Sequence, residues 1–124
     1  TPLLLVATGV GLAPFISIVR DKLENKKTTQ PIRLVFGVRH EENIFWADRL
    51  ANFARQFTQF SYQLTLSQPS PAWTGARGRV VVHLPELVAA GQTYLCGNAA
   101  MVKEVRQILL DRGVEKNQIH FEIF

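Results

Sequence analysis

The stretch Leu3-Leu4-Leu5-Val6-Ala7-Thr8-Gly9-Val10-Gly11-Leu12-Ala13-Pro14 decides the fold. Its apolar run, opened by Pro2 and closed by a glycine-rich turn, has the pattern of a strand buried on both faces of a parallel sheet. From Pro14 the period changes. Phe15, Ile16, Ile18, Val19 and Leu23 fall on one helical face, and proline is tolerated in a first turn because its missing N–H has no intrahelical acceptor. Strand, glycine turn and helix in that order open a βαβ unit.

The rest of the chain repeats the alternation. Strands are expected over 32–38 and 60–66, with a helix between them marked by Trp46, Leu50, Phe53, Ala54 and Phe57. Two prolines and two glycines make 67–78 a loop. Residues 80–88 read equally as strand or helix, because Pro85 interrupts them. Tyr94-Leu95-Cys96 is the next strand, followed by a helix carrying Met101, Val102, Val105, Ile108 and Leu109, with Asn98 as N-cap and Gly113 as C-cap. A last strand covers 119–124. The expected class is therefore α/β: a Rossmann-like, open, parallel five-stranded sheet with helices on both faces, a three-layer α/β/α stack. Ligands of such sheets bind beyond the carboxyl ends of the strands, so the residues after Ala7, Val38, Leu66, Cys96 and the final strand should converge.

Composition excludes several functions. The 124 residues are 47% hydrophobic and 19% charged with a net charge of +4, the profile of one ordinary globular domain. A single cysteine rules out an internal disulfide framework, and His83 and His120 show no ligand spacing with it, so no metal site is expected. No apolar run reaches a membrane span and no signal segment leads the chain, which points to a cytoplasmic protein. Arg20, Lys22, Lys26 and Lys27 are interrupted by Asp21 and Glu24, as on a solvated helix, and no nucleic-acid signature appears. The chain opens Thr1-Pro2 and its only methionine is Met101, so it is expected to be a domain cut from something longer.

Two motifs carry the chemistry. In Thr8-Gly9-Val10-Gly11-Leu12-Ala13-Pro14, glycines let backbone approach a ligand, and the first N–H groups of the helix favour a pyrophosphate. The turn departs from the dehydrogenase fingerprint, since Pro14 stands where G-x-G-x-x-G has its last glycine and Arg39-His40, not an acid, close the second strand. The second motif is Tyr94-Leu95-Cys96-Gly97-Asn98-Ala99-Ala100-Met101-Val102. Together with the closing Phe121-Glu122-Ile123-Phe124, the two resemble the nicotinamide-nucleotide domain of the ferredoxin–NADP reductase superfamily, over essentially the whole chain.

The resemblance implies roles for individual residues. Thr8, Gly9, Val10, Gly11, Ala13 and Pro14 would hold the pyrophosphate, with Val10 replacing the family's hydroxyl residue. Gly97, Asn98 and Met101 would bind the same cofactor. Cys96 would sit beside the hydride-bearing carbon, and Glu122 would be the carboxylate near nicotinamide and flavin. Phe124 would be the aromatic that covers the flavin. Arg39, Ser67 and Gln68 would meet the adenosine half. The family's NADPH users commonly carry Ser-Arg after the third strand, and Ser67-Gln68 lacks that cation, which favours NADH. Arg39, Arg77 and Arg79 leave NADPH possible. A flavin-binding barrel holding FAD is expected upstream of residue 1. A ferredoxin, an iron–sulfur domain or an oxygenase is the expected electron acceptor. Two alternatives stand: a methyltransferase-like α/β domain, opposed by the Cys-Gly motif and the missing acid after strand two, and a non-catalytic nucleotide-sensing module.

Overall fold

The computed structural model describes residues 2–85 and 91–124. At its centre lies β1 (Leu3–Thr8), paired in parallel with β2 (Ile32–Val38) on one side and β5 (Gln92–Gly97) on the other. Beyond β2 follow β3 (Phe60–Leu66) and the two-residue β4 (Ala76–Arg77), and beyond β5 comes β6 (Ile119–Ile123). The order β4-β3-β2-β1-β5-β6 reverses direction between β1 and β5.

That reversal dictates the layers. A parallel crossover is right-handed, so a sheet that grows one way and then the other places its helices on opposite faces. Helices α1 (Leu12–Arg20) and α2 (Ala47–Gln56) pack Phe15, Ile16, Val19, Leu50 and Phe53 against Leu3, Leu5 and Ala7. Helix α3 (Ala99–Asp111) packs Met101, Val102, Val105 and Leu109 against Leu4 and Val6 on the other face. Alternate residues of one strand thus serve two cores, which is why β1 is apolar without interruption. Each such leucine, fully buried, contributes roughly 2 kcal/mol.

The five-stranded expectation is corrected to six strands among the described residues. Ala76 and Arg77 sit inside the stretch read as loop, yet they pair in parallel with Thr65 and Leu66. Gly78 secures the pairing: its N–H donates to the Leu66 carbonyl at 2.8 Å, and its carbonyl accepts from Thr65 Oγ1 at 2.8 Å. Trp73 anchors the preceding turn by donating from Nε1 to the Ala76 carbonyl at 2.9 Å and packing on the core. Trp46 is a second correction. It precedes α2 in a left-handed conformation (φ 58°) and stacks edge-on with Phe45 instead of joining the helix face. Val80–His83 forms a 3-10 turn; the rest of the ambiguous 80–88 segment, from residue 86, lies outside the described residues.

The α3 caps form as expected. Asn98 accepts the Met101 N–H on its side chain at 2.8 Å. Gly113, with φ of 93°, follows the helix, and the N–H groups of Gly113 and Val114 return to the carbonyls of Leu110 and Leu109 at 3.0 Å each, a Schellman closure.

Candidate functional site

The carboxyl ends of the strands border one open crevice of about 830 Å³. Thr8, Gly9 and Val10 enter it from β1, Val38 and Arg39 from β2, Ser67 from β3, Gly97 and Asn98 from β5, and Phe124 from the end of β6. The convergence expected of a parallel sheet is present. It centres on the gap where strand order reverses.

The β1–α1 turn is built by two glycines with different tasks. Gly9 has φ of 54°, and a Cβ placed on it would meet no atom within 4 Å, so its outer side faces open space. Gly11 is buried, and a Cβ there would lie 2.1 Å from the Cys96 carbonyl oxygen, so only glycine lets this turn pass β5. No side chain caps α1, and no acid lies in its first turn. The 3-10 turn Gly9–Gly11 runs straight into it, with the Leu12 N–H donating to the Gly9 and Val10 carbonyls, so the donors left for an anion are those of the turn, at the positive end of the helix dipole.

The β5–α3 turn meets this one across the gap. Thr8 Oγ1 accepts the Asn98 N–H at 3.4 Å, and a Cβ on Gly97 would lie 2.1 Å from that same oxygen. Phe124 donates its N–H to the Gly97 carbonyl at 2.9 Å, which sets its 59% exposed ring at the crevice mouth.

The other named residues stand further back. Cys96 is buried, 2% exposed, against the α1 face. Burial, and to a smaller extent the charge of Glu122, pushes its thiol above the ordinary range. Glu122 pairs in register with Cys96 across β5 and β6 and is exposed. Ala13 and Pro14 lie in the first turn of α1, outside the crevice lining, as does Gln68. Gln68 knits loops: its N–H donates to the Arg39 carbonyl and its own carbonyl accepts from His40 Nδ1, both at 2.8 Å. Ser70 donates its N–H to Glu41 Oε1 at 3.0 Å and its hydroxyl to the other oxygen, and these bonds hold that carboxyl below its ordinary range.

Sequence reading did not single out Asn43, Phe45 or Glu104, all of which line the crevice. Glu104 was accessible in principle. It follows Met101 by three residues and shares its helix face.

Residues 5–107 match the family model described as "Oxidoreductase NAD-binding domain". The chain belongs to this family. It is 35% identical to ferredoxin–NADP reductase B of Sorangium cellulosum over 98% of its own length and 53% of that protein's. It is 37% identical to the ferredoxin–NAD(P)(+) reductase component of the naphthalene 1,2-dioxygenase/salicylate 5-hydroxylase systems of Ralstonia sp, covering 99% of itself and 38% of that component. Among solved structures, a Malassezia yamatoensis flavohemoglobin with bound FAD and heme superposes with a TM-score of 0.86 at 25% identity, covering 100% of this chain and 32% of that one. The chain thus spans about half, or less, of the length of these relatives. Among the described residues no helix is long and apolar enough to cross a membrane, and no cluster of three His, Cys, Asp or Glu is placed to hold a metal.

Proposed function

We propose that residues 1–124 are the nicotinamide-nucleotide domain of a cytoplasmic flavoprotein reductase, with a flavin-binding barrel for FAD preceding them in the same polypeptide. One observation carries the reading. The Gly9-Val10 turn that leads into α1 and the Gly97 turn face one crevice at the strand-order reversal, so a dinucleotide can lay its pyrophosphate on the first turn and its nicotinamide beside Gly97. The residues present fit that ligand. The space outside Gly9 is open, and no side chain caps the 3-10 turn Gly9–Gly11.

When bound, the nicotinamide supplies a hydride and the flavin accepts it. The chain's own groups position and exclude. Gly9 and Val10 bring backbone to the phosphates, Gly97 and Asn98 border the reactive ring, and Phe124 covers the mouth where the flavin would meet it. Cys96 fills the floor beneath Gly97 as a neutral thiol. Glu122, in register with it, offers a carboxylate at the sheet edge for orienting groups or relaying a proton. The cofactor is NADH: Ser67-Gln68 lacks the arginine that the family's NADPH users commonly carry after the third strand, and Arg79 on the crevice wall is held by Glu104. The acceptor is a ferredoxin, an iron–sulfur domain or an oxygenase, in keeping with the names of the relatives.

The test replaces the corresponding stretch of the Ralstonia reductase component with this chain and mixes the fusion anaerobically with NADH. Rapid bleaching of the flavin absorbance is the expected result. Bound NADH with unchanged flavin absorbance would favour a nucleotide-sensing module instead.

A further inference from the structure

Arg79 and Glu104 form the α3-side wall of the crevice, and neither belongs to the two glycine turns. Arg79 leads into the 3-10 turn Val80–His83, and Glu104 lies one turn below Met101 on α3. Arg79 Nη2 donates to Glu104 Oε1 at 2.5 Å and also contacts Oε2. The two side chains are 58% and 40% exposed, so the pair adds little to folding. Its consequence is electrostatic: it decides which charge this wall offers a ligand.

The sheet order gives the wall its place. With pyrophosphate over β1 and nicotinamide over β5, the adenosine end extends over β2, β3 and β4, where Arg39, Ser67 and Arg79 line the space. Three arginines stand near that end. Arg77 is spent on the carbonyls of Ser70, Pro71 and Trp73. Arg79 is held by Glu104, and Arg39 has no ion-pair partner among the described residues.

We propose that Glu104 is a specificity-determining residue: by holding Arg79 and adding its own negative charge, it leaves Arg39 as the one unpaired arginine lining that end among the described residues and biases the adenosine wall away from a 2′-phosphate toward a bare ribose. A 2′-phosphate carries up to two negative charges and is best received by a free guanidinium fork. Glu104 both occupies the fork nearest to it and repels the phosphate. The proposal rests on the nucleotide-binding reading above.

The test titrates the chain with NADH and with NADPH, followed by nucleotide fluorescence, in the wild type, Glu104→Gln and the double variant Glu104→Gln/Arg79→Met. Glu104→Gln should move the affinity ratio toward NADPH by about tenfold, the scale of one exposed charge-assisted contact. The shift should shrink at high salt. The double variant should return the ratio close to wild type, because a wall stripped of both charges is as neutral as the paired one. Glu104→Ala repeats the test should the glutamine variant misfold. An unmoved ratio in the folded single variants, or a gain that survives loss of Arg79, overturns the role of Glu104 alone. Failure of the wild type to bind either nucleotide overturns the nucleotide reading itself.

Discussion

The β1–α1 and β5–α3 turns are alike in sequence and opposite in physics. Each places glycine between a parallel strand and a helix at the carboxyl edge of the sheet. At β5–α3 the chain satisfies itself: Asn98 caps the helix, and the space outside Gly97 is filled by Thr8 and Met101. At β1–α1 no side chain caps the helix, and the space outside Gly9 is empty. A glycine turn leaves room for a ligand only where the chain has not filled the space outside it with its own atoms. Gly11 sharpens the contrast, since it belongs to the open turn yet exists to let the two turns touch.

Substitutions separate these roles. Gly11→Ala should have the largest effect, because its Cβ would strike the Cys96 carbonyl, 2.1 Å away, and backbone cannot swing aside. Overpacking of this kind should cost about 3 kcal/mol, read as a lower urea midpoint with unchanged slope. Gly9→Ala meets no clash, and its left-handed backbone should cost roughly 1–2 kcal/mol. Its distinctive outcome is in binding: the new methyl intrudes where the pyrophosphate would lie, so NADH affinity should fall about tenfold or more, each tenfold being about 1.4 kcal/mol. A Gly9→Ala variant that is destabilised but binds normally would erase the distinction between the turns. Asn98→Ala should cost about 1 kcal/mol in thermal or urea unfolding through its lost cap, with a smaller loss of NADH affinity than Gly9→Ala.

The smallest effect concerns pH. Burial, then Glu122, raises the Cys96 thiol in the folded chain. Once pH passes the ordinary thiol value of about 8.5, the unfolded chain loses this proton while the folded chain keeps it. The stabilisation is thus fully present below that value and declines as pH rises toward the folded one. Urea titrations between neutral and alkaline pH should show this decline, and Cys96→Ala should flatten the part due to this group.

How far the sequence could be read follows from the same contrast. Periodicity carried β1, β2, β3 and α3, whose apolar residues recur over five positions or more, and cap chemistry placed Asn98 and Gly113. Periodicity cannot show a strand of two residues. Ala76–Arg77 is held by Gly78, Thr65 and the Trp73 anchor, all tertiary partners. Trp46 looked helical by spacing, but its left-handed backbone and its contacts with Phe45 and the Arg49 guanidinium, 5.4 Å from the ring, take it out of α2. At the site, local motifs announced both glycine turns. Arg79–Glu104 stayed hidden because it joins positions 25 residues apart that carry no motif.

The difference between the two turns is tested most directly by an amide-resolved NMR titration of the chain with NADH. The largest shifts are expected at Gly9, Val10 and Gly11, with further shifts at Gly97 and Asn98 and little change in α2. Shifts that leave the β1–α1 turn untouched while moving other regions would contradict the assignment of the open turn to the pyrophosphate.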